Sequence, residues 1–172
     1  MKIYRLAITA SCLIGLFVTL SFAQKVQLIS LHSNETNVLV GQKIVITANY
    51  DVQADENIDT GALGLGLRVH FDSNKLKFVG YKNSFIIGKT VEDATINDDL
   101  KKDLDQSTAT DKYVLIAWSS TAAFWPNMPT PVKLTDLVFE AIAPGSATVN
   151  VSFSSVSSGF EAKAESLVLD IQ

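Results

Sequence analysis

The chain has 172 residues, 47% of them hydrophobic, with 14 basic residues against 18 acidic ones and a net charge of −4. This length fits one domain with a packed core of its own. The acidic balance, without any basic cluster, argues against nucleic acid and against anionic membrane surfaces as partners. Cys12 is the only cysteine, so stability must come from packing or from a bound metal and not from an internal disulfide.

The N-terminus predicts a secretory signal peptide. Basic residues precede an uncharged apolar stretch at 6–20, and small residues lead to a cleavage site after Ala23. A membrane anchor is the alternative, but a bilayer span needs ~20 apolar residues and this stretch is shorter. We therefore expect residues 1–23 to be removed and residues 24–172 to form one domain of an exported protein, which is secreted, periplasmic or held at the cell surface.

Alternation of apolar and polar residues with a period of two predicts β-strands through most of the remaining chain. It is clearest in residues 63–71, where odd-numbered positions are leucine, valine or phenylalanine and even-numbered positions are glycine, arginine or histidine. A turn signal at 72–74 follows, and Leu76 and Phe78 resume the alternation. We expect these two segments to form a β-hairpin.

The second half of the chain continues the strand pattern. Residues 113–118 are apolar at nearly every position, which is typical of a central strand between packed layers, and alternating segments follow at 134–141, 149–153 and 167–171. No amphipathic helix of convincing length interrupts them. About nine short strands separated by turns predict an all-β fold, namely a two-sheet jelly-roll or immunoglobulin-like sandwich.

Three sequence blocks occur in an order that resembles cohesin modules. They are VGQK at 40–43, GLGLRVHFDSNKLKF at 64–78, and LVFEA at 137–141 followed by PGSA at 144–147. The resemblance implies a jelly-roll sandwich of about nine strands that binds either a dockerin module or a polysaccharide. The chain departs from scaffold cohesins in carrying one isolated module and an acidic segment at 92–112.

The acidic segment at 92–112 is interpreted as a loop with a candidate calcium site. Asp103, Asp105 and Ser107 stand at alternate positions, and Asp111 follows four residues later. Calcium takes about six to eight oxygen ligands, and such a loop aims several at one point. The segment lacks the glycine and the distal glutamate of an EF-hand. The alternative is a solvated acidic loop without metal.

Aromatic residues in a proline-rich loop suggest a second kind of site. Phe124, Trp125 and Asn127 could form a platform on which sugar rings stack, with the amide setting their orientation. The alternative is that Phe124 and Trp125 cap one end of the sandwich. Trp118, at the end of an apolar strand, is expected in the core.

The polar face of the strand at 63–71 is the candidate protein-binding surface. Arg68 and His70 alternate there with Gly64 and Gly66, and glycines permit close approach of another backbone. The alternative is a plain solvated face, with His70 an ordinary surface histidine.

Catalytic signatures are absent from the sequence: there is no cysteine after residue 23, no nucleophile-elbow motif and no histidine-rich metal motif. We therefore expect a non-catalytic, cohesin-like module that docks an extracellular protein partner. A carbohydrate-binding module that recognises polysaccharide with the help of calcium is the alternative.

Overall fold

The structure, a computed structural model, describes residues 25–55, 59–99 and 104–172. Within these ranges the regular secondary structure consists of eleven β-strands: β1 (Lys25–Ser33), β2 (Asn37–Val38), β3 (Lys43–Gln53), β4 (Gly64–Phe71), β5 (Leu76–Lys82), β6 (Lys89–Asp98), β7 (Lys112–Ser119), β8 (Val132–Ala141), β9 (Gly145–Ser155), β10 (Phe160–Ala164) and β11 (Leu167–Ile171). The predicted signal peptide lies outside the described residues. In the described part of the chain, no helix is long and apolar enough to cross a membrane.

The strands form two sheets. The five-stranded sheet has the order β10-β1-β3-β8-β5, and the six-stranded sheet has the order β2-β11-β9-β4-β7-β6. Paired strands run antiparallel except for β1 with β10 and β2 with β11, which are parallel. The predicted all-β, two-sheet architecture is confirmed.

One hydrophobic core lies between the sheets, and the period-two pattern determines which side chains enter it. In β4 the odd-numbered residues Leu65, Leu67, Val69 and Phe71 are all buried, as the alternation predicts. Phe71 meets Phe139 of β8 edge to face, with 5.3 Å between the ring centroids. Because these two strands belong to different sheets, this contact joins the two layers.

The predicted hairpin between β4 and β5 is wrong. β4 lies inside the six-stranded sheet between β7 and β9, whereas β5 is the edge of the five-stranded sheet beside β8. The turn itself exists, since the Leu76 amide donates to the Asp72 carbonyl at 2.8 Å, but it carries the chain from one layer to the other. Alternation shows which side chains face the core, and it is the same for a hairpin and for a crossing between facing sheets.

The acidic segment is only partly a loop. Residues 92–98 belong to β6, which pairs antiparallel with β7 and forms the edge of the six-stranded sheet. The loop interpretation is therefore wrong for this part. An edge strand has a side open to solvent, and charged residues there also discourage pairing with other chains. The Lys112 ammonium pairs with the Asp98 carboxylate across β6 and β7.

Candidate functional site

The outer face of β4, predicted as a protein-binding surface with a plain solvated face as the alternative, is largely covered by the chain itself. Gly64, Gly66, Arg68 and His70 point away from the core, yet both glycines and His70 are buried and Arg68 is half-buried. The Arg68 guanidinium donates to the Phe153 carbonyl at 3.0 Å. Arg68 is therefore the one residue of this stripe that retains partial access to solvent.

The glycine end of the stripe is covered by the chain's own serine-rich segment after β9. The Ser157 hydroxyl accepts from the amides of Leu63 and Gly64 at 3.0 and 3.2 Å. A Cβ atom on Gly66 would lie 2.4 Å from the Ser154 hydroxyl oxygen. A Cβ atom on Gly64 would lie 2.1 Å from the Trp118 carbonyl oxygen. The glycines thus permit close approach, but the groups that approach belong to this chain and not to a partner.

The histidine end of the stripe is covered by Asp99 and Asp105, which follow β6 in the sequence. His70 is 0% exposed, so its interpretation as a surface histidine is wrong. Its Nε2 lies 2.8 Å from the Ser152 hydroxyl. Its Nδ1 faces two carboxylates, 3.4 Å from an Asp99 oxygen and 3.8 Å from an Asp105 oxygen.

Burial and hydrogen bonds shift the ionisation of this cluster. Burial lowers the pKa of His70 and outweighs the nearby negative charges of Asp105 and Asp99, which act in the opposite direction. Burial also acts to raise the pKa of Asp105, but the hydrogen bonds that its carboxylate accepts outweigh this and hold it below the ordinary value. A neutral imidazole therefore faces ionised Asp105.

The residues of the predicted calcium site have separate environments. Asp103 lies outside the described residues. Both carboxylate oxygens of Asp111 accept hydrogen bonds from Ser73, from its amide and its hydroxyl, each at 2.7 Å. The Ser107 hydroxyl accepts from the Ala109 amide at 3.1 Å. Of the three predicted ligands that the structure describes, only Asp105 belongs to the cluster around His70.

Among the residues that the structure describes, one group of three or more histidine, cysteine or acidic residues has its potential ligand atoms within 4.8 Å of one another: His70, Asp99 and Asp105. Sequence reasoning missed this group because His70 is far from the two acids along the chain. The sequence contained one usable signal. His70 lies between the core residues Val69 and Phe71 of β4, and an acidic segment directly precedes β7, the strand that pairs with β4.

The aromatic loop does not present a sugar platform. Trp125 is 1% exposed, its ring centroid lies 4.7 Å from that of Tyr50, and its indole nitrogen donates to the Ile87 carbonyl at 3.0 Å. Trp125 therefore closes one end of the core, and the platform hypothesis is wrong for this residue. Phe124 and Asn127 are exposed beside it. Trp118 is buried, which confirms its predicted place in the core.

Similarity to solved structures extends over most of the chain. The OlpA cohesin of Clostridium thermocellum, solved in a cohesin–dockerin complex, matches with a TM-score of 0.56 and 14% identity over 84% of this chain and 99% of that chain. The sixth cohesin of scaffoldin B from Acetivibrio cellulolyticus, in complex with a Cel5 dockerin, matches with a TM-score of 0.53 and 15% identity, over 87% and 99%. The fold is cohesin-like.

A third similar structure is a cohesin module that belongs to an enzyme. The cohesin module of a family 33 glycoside hydrolase from Clostridium perfringens matches with a TM-score of 0.56 at 7% identity, over 87% of this chain and 98% of that module. No family model and no curated protein matches the chain. The resemblance that the motifs at 64–78 and 137–147 carry is therefore confirmed at the level of the fold.

Proposed function

We propose that this cohesin-like chain is a non-catalytic docking module that binds a dockerin-like protein partner outside the cytoplasm. The observation that carries the proposal is the extent of the structural similarity. The match covers 99% of the length of two cohesins that were solved with dockerins bound. Fold alone does not decide function. The docking surface therefore depends on the side chains that the two outer sheet faces present.

We infer that docking uses the outer face of the six-stranded sheet, where apolar side chains of the neighbouring strands β6 and β7 lie together. Val91 of β6 is 49% exposed and lies opposite Ala117 of β7 in the strand register. Ala117 and Leu115, which alternate with the core residues of β7, are half-buried on the same face. Apolar side chains grouped on a flat face are typical of the centre of a protein interface. We name Val91, Leu115 and Ala117 the apolar patch.

The outer face of the five-stranded sheet is polar, and its central groups are bonded to one another. The Asp136 carboxylate accepts from Thr47 at 2.8 Å, and from Asn83 and Lys133 at 2.7 Å each. A partner on this face would have to displace or desolvate a satisfied polar network, which is costly. The same sheet also exposes Val45 of β3, which lies opposite the buried Val138 of β8, and Val79 of β5. The satisfied hydrogen bonds of Asp136, and not a lack of apolar side chains, therefore distinguish this face.

The carbohydrate alternative has lost the aromatic platform on which it depended, because Trp125 is buried. Stacking on a sugar ring requires an exposed aromatic face. Phe124, which is 66% exposed, remains as a single aromatic side chain. We therefore infer that the binding partner is a protein.

The test measures binding to dockerin-type modules encoded in the same genome, by isothermal titration calorimetry. We expect Val91→Asp and Leu115→Asp each to weaken binding by at least ~10-fold, because a charge would be buried without a partner in the interface. Val45→Asp is the matched control, since Val45 is 45% exposed on the opposite face, and it should bind like the wild type.

Two results would contradict the proposal. Equal loss in Val45→Asp and Val91→Asp would place the docking surface elsewhere. Retention of the protein on insoluble polysaccharide, abolished by Phe124→Ala and accompanied by no binding to any dockerin-type module, would favour the carbohydrate-binding alternative.

A further inference from the structure

The buried cluster at the histidine end of the outer face of β4 contains more negative charge than its described surroundings balance. The side chains of His70, Asp99 and Asp105 are 0%, 1% and 2% exposed. Among the described residues, neither carboxylate oxygen of Asp99 nor Nδ1 of His70 has a hydrogen-bond partner. A buried carboxylate without donors is strongly destabilising unless a cation neutralises it.

The histidine is oriented in the way that a metal ligand requires. Its Nε2 can donate to the Ser152 hydroxyl at 2.8 Å, which places the lone pair on Nδ1, the nitrogen that faces the carboxylates. Ligating histidines in proteins usually bind the metal with one ring nitrogen and donate with the other. Ser152 thus acts as an orienting residue for His70.

Asp105 is likewise fixed by its neighbours. Its carboxylate accepts three hydrogen bonds, from the Ser107 amide at 3.1 Å, the Thr110 hydroxyl at 2.6 Å and the Asn150 amide group at 3.2 Å. Thr110 and Asn150 both donate to Oδ2, the oxygen that lies 3.8 Å from His70 Nδ1, whereas Ser107 donates to Oδ1. A carboxylate offers about four acceptor positions, so the remaining position of Asp105 is on Oδ1.

The spacing favours a shared cation over a direct ion pair. The distances from His70 Nδ1 to the Asp99 and Asp105 oxygens, 3.4 and 3.8 Å, exceed the ~2.7–3.2 Å of an N–H···O hydrogen bond. Ligands bound at ~2.0–2.2 Å in a tetrahedral zinc site lie roughly 3.3–3.6 Å from one another. The gap between the three side chains is therefore close to the size that a small divalent ion fills.

We propose that His70, Asp99 and Asp105 bind a divalent transition-metal ion of the zinc type. The nitrogen ligand selects this class, because imidazole suits zinc and its neighbours in the first transition row, whereas calcium and magnesium prefer oxygen ligands. Bound there, the ion ties the segment between β6 and β7 to the outer face of β4. The ion thus cross-links elements that are distant in sequence, in a chain that cannot form an internal disulfide.

The experiment titrates tag-free protein with Zn²⁺, Ca²⁺ and Mg²⁺ by calorimetry and records the melting temperature in each ion and in chelator. We expect one equivalent of Zn²⁺ to bind and to raise the melting temperature, with no comparable effect of Ca²⁺ or Mg²⁺. Asp99→Asn and His70→Gln should each weaken Zn²⁺ binding by at least ~10-fold.

Matched controls separate this site from adventitious binding. Asp98→Asn changes the adjacent acid, which is exposed, and His32→Gln changes the other histidine, also exposed; both should bind Zn²⁺ as the wild type does. The visible spectrum of Co²⁺-loaded wild-type protein should show a low-symmetry site with one nitrogen ligand. This readout does not depend on whether the variants fold.

Several results would overturn the proposal. The wild-type protein could fail to bind Zn²⁺ or could bind Ca²⁺ more tightly than Zn²⁺. Zn²⁺ binding could be lost in the control His32→Gln, or it could persist in the double variant that combines Asp99→Asn with His70→Gln. Doubly protonated His70 in ¹⁵N spectra of protein to which Zn²⁺ has been added would also overturn it, because the cluster would then be a simple ion pair.

Discussion

Trp125 shows how one side chain changes meaning between sequence and structure. In the sequence it stands in a proline-rich loop beside Phe124, a setting in which an exposed binding residue and a buried cap look alike. In the structure an isolated bridge pairs it with Ala62, and its ring packs against Tyr50 and Trp118. Its local sequence is that of a loop, but its contacts are those of the core.

Replacement of this residue gives a direct test. We expect Trp125→Ala to lower the free energy of unfolding by ~3–5 kcal/mol, because a buried aromatic side chain leaves a cavity when it is truncated. Phe124→Ala, at the adjacent exposed position, should change it by less than ~0.5 kcal/mol. Urea denaturation followed by far-ultraviolet circular dichroism measures both. Equal stability of the two variants would mean that Trp125 does not close the core.

His70 makes the opposite change, from an expected surface residue to a buried one. The alternation places it correctly on the outer face of β4, opposite the core. Asp99 and Asp105 cover this face, and they follow β4 in the sequence only after two further strands, β5 and β6. Periodicity distinguishes the core side of a strand from the outer side, but it does not report whether a loop later covers the outer side.

At the scale of elements, Asp136 links three parts of the five-stranded sheet. It accepts from Thr47 of β3, from Lys133 of its own strand, and from Asn83 just after β5. Burial acts to raise the pKa of Asp136, but the hydrogen bonds and the positive charge of Lys133 outweigh it and hold the pKa below its ordinary value.

This lowered pKa predicts a pH dependence. The folded state holds the Asp136 proton less tightly than the unfolded state, so the contribution is present above the unfolded pKa of ~3.9 and is lost as pH falls through the folded value. We expect the unfolding free energy to decline below about pH 4, and Asp136→Asn to flatten that decline. Lys133→Met removes one donor and should flatten it part of the way. An unchanged pH profile in Asp136→Asn would contradict the assignment; denaturant titrations from pH 5 to pH 2 provide the measurement.

The edge strand β6 illustrates how tertiary context overrides composition. Acidic residues and asparagine are poor strand formers, and the segment carries both. At a sheet edge their side chains reach solvent, while the backbone gains hydrogen bonds to β7. The same edge contributes Val91 to the apolar patch and is followed by Asp99 in the buried cluster. Both proposals therefore depend on an element that the sequence pattern does not reveal.

At the scale of the whole molecule, a single core contains residues from both sheets, from Ile29 on β1 to Ile171 on β11. The described sandwich begins at residue 25, immediately after the predicted leader.

We expect the exported protein to begin at Gln24, because the small residue Ala23 precedes the predicted cleavage site. Intact-mass spectrometry of protein from the periplasm and the culture medium measures this. Ala23→Asp should block processing and leave the longer chain attached to the membrane fraction. Recovery of only the full-length chain in the cytoplasm of wild-type cells would contradict the predicted export.

The sequence by itself determined the strand character of most segments and the two-layer class. It did so because burial of one face imposes a period of two at each strand, for example through the odd-numbered residues of β4. It also carried the cohesin resemblance, since the blocks at 64–78 and 137–147 retain the order of that fold. These are local signals, and each can be read within ten or fifteen residues.

Only the tertiary structure decided which strands pair, where the chain crosses between sheets and which polar residues meet. The turn after β4 has the same sequence whether it closes a hairpin or joins two layers, and the choice depends on the partners β8, β7 and β9. His70, Asp99 and Asp105 meet because β6 and β7 return the chain to the outer face of β4. Contacts between distant segments depend on the energy of the whole packed chain, which no single stretch of sequence encodes.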